Sequence, residues 1–203
     1  MNCRFVVMNF LAHAYLSFSN PQILVGNMVS DFVKGKAQFL FNGKIQAGIR
    51  LHRMIDEFTD NHPATAKAKE IFRPAYRLYS GAIVDVLYDH YLASDPKEFD
   101  DASLRAFTAA TYRQLERQTS DLPPRFLQVF TYMRTEDWLY QYRHPEGMRR
   151  SLGGLVRRAA YLSESTTAYN LFREQYVPLR ECYEAFFPDV KQFAKQTLET
   201  LIA

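Results

Sequence analysis

Leu78-Tyr-Ser-Gly-Ala-Ile-Val-Asp-Val-Leu-Tyr-Asp-His-Tyr-Leu92 is the stretch that decides the fold class. It is apolar nearly all round, a pattern that belongs to the central helix of a bundle rather than to a surface helix. Asp85 and Asp89 stand four residues apart on one stripe with Leu78, Ala82 and Leu92. Two carboxylates on the inner stripe of a central helix are costly unless something compensates them. A divalent cation is the most economical compensation, because it pairs with both and lowers their pKa values.

Outward from this segment, the chain is punctuated at Asn20-Pro21, Asn42-Gly43, Asn61-His62-Pro63, Asp95-Pro96, Leu122-Pro123-Pro124, His144-Pro145, Gly153-Gly154 and Phe187-Pro188. The intervening segments have helical apolar spacing. The spacing predicts helices near 8–17, 21–34, 43–60, 63–72, 73–93, 100–117, 123–140, 145–163 and 165–200, the last interrupted at Pro188. Strand-like alternation is absent, so the expectation is an all-α helical bundle, with residues 1–203 forming a single domain.

The 47% hydrophobic and 23% charged residues are the ordinary balance of a globular protein, and a chain of 203 residues can build its core without staples. Cys3 and Cys182 are far apart and lack metal-type spacing, which fits a reducing, cytoplasmic setting. The net charge of +3 is too small to imply nucleic-acid binding, and no nucleic-acid motif is present. Arg4, Asn9 and His13 interrupt the apolar run 3–18, which is too short to span a bilayer. It reads as the first buried helix behind a short extension, residues 1–7, with Met8 as an alternative start of translation to Met1.

A second acidic segment is Gly48-Ile-Arg-Leu-His-Arg-Met-Ile-Asp-Glu-Phe-Thr-Asp60. On a helical wheel His52, Asp56 and Asp60 fall within about 60° of Ile49, in the arc that also holds Ile45. Three polar groups therefore share a face with aliphatic residues that want burial. Asn9 with His13, and Asn27 with Asp31, show the same four-residue spacing. These segments together can converge a mixed His/carboxylate set on one point in the core. Such a set suits manganese, iron or zinc, whereas magnesium favours oxygen ligands. Metal-assisted hydrolysis of a phosphate ester is the chemistry such a site would support. Taken singly, the pieces have plainer readings. Asp56 and Asp60 could pair with Arg53 at the surface, and His13 could be a hydrogen-bonded core histidine. His62 and His144, each before a proline, read as turn residues.

Several motifs resemble those of the acyl carrier protein phosphodiesterases. They are Met8-Asn-Phe-Leu-Ala-His-Ala-Tyr-Leu-Ser17, Gly26-Asn27 with Asp31-Phe-Val-Lys-Gly35, and Gly48-Ile49, His52-Arg53 and Ile55-Asp56 with Phe58-Thr-Asp-Asn61. Asp85-Val86 with Asp89-His90, Pro123-Pro-Arg-Phe126, Trp138-Leu139 and Tyr142-Arg143 follow in order. The resemblance is specific in the first half and thin after about Arg150. That family is similar to the helical HD-type metal phosphohydrolases. The resemblance implies an HD-like bundle that hydrolyses 4′-phosphopantetheine from the serine of holo acyl carrier protein, with manganese as the metal and magnesium or iron(II) as other divalent candidates. The usual HD pattern has a His-Asp doublet, and here the doublet is reversed, Asp89-His90.

The expected inner metal shell is His52, Asp56, Asp85 and Asp89, with His13, Asp31 and Asp60 as further ligands or supporting groups. Among the expected catalytic groups besides Asp60, His90 is a candidate acid for the leaving group, and Arg53 or Lys34 would stabilise the developing phosphate charge. Arg143, Arg149, Arg150, Arg157 and Arg158 fall within a short stretch whose one acid is Glu146. That stretch is a candidate surface for steering the acidic carrier that the resemblance implies, or simply a solvated basic face. Two other readings stand beside this one: a phosphohydrolase of a nucleotide or other small phosphate ester, and a non-catalytic helical module that keeps a metal for stability. A di-iron bundle fits poorly, because the paired Glu-x-x-His signature is missing. The sequence does not fix an oligomeric state.

Overall fold

The computed structural model describes residues 9–203. Met8, Cys3 and the extension 1–7 lie outside the described residues. Among those described, eleven α-helices follow one another with no strand between them: α1 (Phe10–Tyr15), α2 (Pro21–Val29), α3 (Gly43–Asn61), α4 (Pro63–Tyr76), α5 (Ser80–Ser94), α6 (Asp101–Arg117), α7 (Pro124–Thr135), α8 (Trp138–Gln141), α9 (Pro145–Arg158), α10 (Thr166–Glu174) and α11 (Tyr176–Ile202). The all-α expectation is borne out.

α5 is the hub. It packs against α1, α4, α9 and α11, and buries Ile83, Val84, Val86, Leu87, Tyr88, Tyr91 and Leu92. One apolar cluster runs through the bundle from Phe10 to Leu198.

The closest helix pair is α2 against α3, and two glycines set its distance. A Cβ on Gly26 would lie 2.1 Å from the Ile45 carbonyl oxygen, and one on Gly48 would lie 2.4 Å from that of Ile23. The backbones can approach this far only because neither residue has a side chain. The crossing carries Asn27, on α2, and Asp31, in the turn after it, up to the middle of α3, where His52 lies.

Several boundaries differ from the expected ones. α2 stops at Val29 and gives way to 3-10 turns at Ser30–Phe32 and Gly35–Leu40, so 21–34 is not one helix. α4 continues through Pro74 and ends where Arg77 takes a positive φ of 47°. The segment 123–140 divides at Asp137, whose φ of 49° is left-handed. α9 ends at Arg158, short of residue 163. α11 runs unbroken through Pro188, where a lost hydrogen bond costs about 3 kcal/mol. Phe186, Phe187 and Val190 are buried beside that proline, so packing outweighs the loss.

Candidate metal centre

His13 comes from α1, Asp31 from the turn after α2, and His52 and Asp56 from α3. Both histidines are buried, and their rings stack with centroids 3.9 Å apart and planes 21° from parallel. His13 Nε2 lies 3.3 Å from Asp56 Oδ1, His52 Nε2 lies 3.3 Å from Asp56 Oδ2, and His52 Nε2 lies 3.4 Å from Asp31 Oδ1. One ligand atom each from His13, His52 and Asp56 falls within 4.8 Å of the others. Metal–ligand bonds of about 2.1 Å place neighbouring donors roughly 3–4 Å apart, so the spacing fits one divalent ion.

The hydrogen bonds around His13 fix its tautomer. Asn27 Nδ2 donates to the His13 carbonyl oxygen at 2.9 Å and to Ser17 Oγ at 3.1 Å. Its Oδ1, 2.8 Å from His13 Nδ1, is therefore the acceptor, and Nδ1 carries the proton. The lone pair then sits on Nε2, which faces Asp56. This is how a metal-binding histidine is normally held. His13 Nε2, His52 Nδ1 and His52 Nε2 are buried without a hydrogen-bond partner, and a cation would satisfy both Nε2 atoms.

Charge explains the protonation states of the metal-free site. Burial acts to lower the His52 pKa, but the Asp56 and Asp31 carboxylates outweigh it and push the value up to about 10. Burial acts to raise Asp56, but His52 and His13 hold it well below the usual carboxylate range. His13 is lowered by burial and by the His52 charge beside it. The metal-free state is thus a protonated His52 against an ionised Asp56, with a neutral His13. Asp31 and Asp56 are only partly buried, so the carboxylate side of the cluster opens outward.

The acids expected on α5 divide. Asp85 is partly exposed; burial and then the carboxylates of Asp56 and Asp60 push its pKa well above the usual value. It therefore faces the α3 acids. Asp89 turns elsewhere: its Oδ2 accepts from the Leu11 N–H at 3.1 Å and its Oδ1 from the Ala12 N–H at 2.8 Å. These are the first-turn donors of α1, which Asn9 leaves without a side-chain cap. Asp89 is thus the N-terminal cap of the helix that carries His13, not a member of the cluster. Burial raises its pKa to about 8, against the pull of those N–H groups and of Tyr142.

Three further expectations are corrected by placement. His90 is buried with both ring nitrogens used, Nδ1 by the Tyr142 carbonyl at 2.7 Å and Nε2 by the Tyr176 hydroxyl at 3.1 Å. It braces the fold and cannot serve as the leaving-group acid. Asp60 lies in the last turn of α3, exposed, and pairs with Lys69 Nζ at 2.7 Å. Lys34 is exposed, with no bond to the cluster among the described residues. Arg53 is held by Gln38 Oε1 at 2.8 Å and the Val33 carbonyl at 3.3 Å, which ties the segment after Asp31 to α3.

Two contacts near the cluster are not legible in the sequence. Asn27 was visible only as a face-mate of Asp31, and its bond to His13 depends on the glycine crossing. Lys69 sits across the α3–α4 turn from Asp60, and no periodicity links the two. His62 accepts from the Ala64 N–H at 3.2 Å, the turn role expected of it. The five arginines have different neighbours. Arg143 pairs with Asp101 at 3.1 Å, Arg149 lies over the Tyr169 ring, and Arg150, Arg157 and Arg158 line a cavity between α8 and α9.

Among the described residues no helix is long and apolar enough to cross a membrane. A family model described as acyl carrier protein phosphodiesterase matches residues 8–190. A protein of that name from Escherichia coli O45:K1 is 32% identical over 190 residues, covering 93% of this chain and 98% of its own length. One from Klebsiella pneumoniae subsp. pneumoniae is 33% identical over 189 residues, with 93% and 98% covered. One from Shigella boydii serotype 18 is 32% identical over 182 residues, with 89% and 94% covered. No solved structure gives a significant match.

Proposed function

We propose a function from one premise: the chain belongs to the acyl carrier protein phosphodiesterase family. It is an enzyme that hydrolyses the phosphodiester joining 4′-phosphopantetheine to the serine of holo acyl carrier protein, releasing the apo carrier. Its place is the bacterial cytoplasm, in the turnover of the carrier used for fatty-acid synthesis. The observation that carries the chemistry is the convergence of His13, His52 and Asp56, with two unpartnered Nε2 atoms aimed at one carboxylate.

In our reading His13 Nε2, His52 Nε2 and Asp56 hold the cation, with Asp31 and Asp85 as further oxygen donors. The mixed imidazole and carboxylate set favours manganese, with iron(II) or magnesium as substitutes. When bound, that ion supplies Lewis-acid polarisation of the phosphoryl oxygen and an activated water. The protein does the rest. Asn27 locks the His13 tautomer, and Asp89 fixes the start of α1. Arg53, one turn before Asp56 and Glu57 on α3, meets the charge that develops on the phosphate. Water's oxygen adds to phosphorus, the bond from phosphorus to the serine oxygen breaks, and the proton lost by the water is made up on the serine oxygen from solvent, giving the carrier's serine hydroxyl and 4′-phosphopantetheine. The basic side chains near α9 are candidate contacts for the carrier, among them Arg143 and Arg149.

Mass spectrometry of holo acyl carrier protein incubated with the enzyme and manganese tests this. Loss of the phosphopantetheine mass from the carrier is expected. An unchanged holo mass, alongside turnover of a nucleotide or simple phosphate ester, would replace this substrate with another.

A further inference from the structure

Away from the candidate metal centre, α8 and α9 with Glu136 line a cavity of about 280 Å³ that opens to solvent. Trp138 and Tyr142 form part of its wall, and Arg150, Arg157 and Arg158 face into it. A Cβ on Gly154 would lie 3.2 Å from Arg158 Nη1 and 3.6 Å from Arg157 Nη2, so two guanidinium groups reach the same spot above that glycine. The three arginines are solvent-exposed, so water screens their repulsion, and an anion seated between two of them gains from both charges at once.

Among the described residues no carboxylate forms an ion pair with Arg150, Arg157 or Arg158. The arginine ion pairs of the described residues are those of Arg105, Arg134, Arg143 and Arg180. The one acid that lines the cavity, Glu136, accepts the Trp138 indole N–H at 3.2 Å. The wall is also held in place. Tyr142 offers its carbonyl to His90 and its side chain to Asp89, so it does not need ordering when something enters.

We infer that this cavity is a binding site for a small anion bearing a phosphate monoester or diphosphate group, held by Arg150, Arg157 and Arg158 against Trp138. Guanidinium forks match phosphate oxygens in pairs, which suits a compact oxyanion better than a dispersed acidic surface. The inference does not rest on the proposed reaction, because none of its residues belongs to the metal centre.

Trp138 is the single tryptophan of the chain, so its fluorescence reads this cavity alone. Metal-free protein is titrated with inorganic phosphate and, separately, with pyrophosphate. Potassium chloride at equal ionic strength and polyglutamate serve as comparisons. A saturable change with half-saturation below about 1 mM is expected for at least one phosphate probe. The stronger probe tells a monophosphate ligand from a diphosphate one. The Arg157→Gln/Arg158→Gln double variant, checked for its helical circular dichroism, weakens that binding about tenfold or more. Arg149→Gln and His52→Ala leave it unchanged. The inference is overturned by no saturable change, by the same change with chloride, or by a response to polyglutamate alone. It is also overturned if the double variant titrates like the parent, or if His52→Ala removes the response.

Discussion

His13 and His52 stack ring on ring at 3.9 Å, and both turn Nε2 toward the carboxylate of Asp56. Two imidazoles from different helices that share one carboxylate offer a divalent cation a place between them, the one we propose it takes. The stacking also makes the site demanding, because both rings must keep their orientation for both lone pairs to converge.

Removing a donor should therefore cost metal before it costs fold. His52→Ala and Asp56→Asn are expected to lose bound manganese and to lower kcat/KM by at least about a hundredfold. Their thermal midpoints measured without metal should change far less than the metal-induced rise in midpoint seen in the parent. Metal titration followed by calorimetry checks both halves.

In the proposed metal centre, Asn27 acts through the proton on His13 Nδ1. Asn27→Leu removes the acceptor and frees the ring to change tautomer. A loss of about 10- to 100-fold in metal affinity is expected. Asn27→Asp keeps an acceptor facing Nδ1 and should retain more affinity than the leucine variant. Equal affinity in parent and leucine variant would remove Asn27 from the site.

pH dependence follows from His52. Its folded pKa is raised from 6.5 to about 10, so its pair with the carboxylates gives full stability below pH 6.5 and loses it as pH rises toward 10. Asp56 is depressed, so its contribution is present above its ordinary carboxylate range and is lost as pH falls below it. Metal-free protein should be most stable between these limits, in mildly acidic solution. Metal must displace the His52 proton, and that of Asp85 where its raised carboxyl is still protonated, so affinity should climb with pH across the neutral range, with about one to two protons released per ion. Calorimetry in buffers of different ionisation enthalpy counts those protons.

His90 and Asp89 should behave as structural residues. His90→Gln is expected to lower the thermal midpoint while changing kcat by less than about tenfold, since a removed general acid would cost 10²–10⁴-fold. Asp89→Ala leaves the buried Leu11 N–H and the part-buried Ala12 N–H unpaired, a loss of about 1–3 kcal/mol. It should also weaken metal binding through His13. A His90→Gln enzyme with its stability intact and its turnover abolished would restore the acid role.

Much of this was legible from periodicity. The all-round apolar pattern of 78–92 identified the hub helix, and the arc of Ile45, Ile49, His52 and Asp56 identified a buried polar face. The same arc misplaced Asp60, because a wheel does not show where a helix outruns the core. Asp85 and Asp89 share a stripe, yet one faces the acids of α3 and the other the open end of α1. A buried carboxylate needs positive charge or donors, and the sequence does not distinguish a cation from a helix N-terminus. His13 moved from a supporting place to the centre because its approach to His52 depends on the Gly26–Gly48 crossing, a contact between segments with no shared period.

The most direct test is an anomalous-scattering map from crystals of the enzyme loaded with manganese. The account predicts one peak within about 2.0–2.4 Å of His13 Nε2, His52 Nε2 and an Asp56 oxygen. A peak held by Asp89 and lacking His13, or an active enzyme with no ion between the stacked histidines, would contradict it.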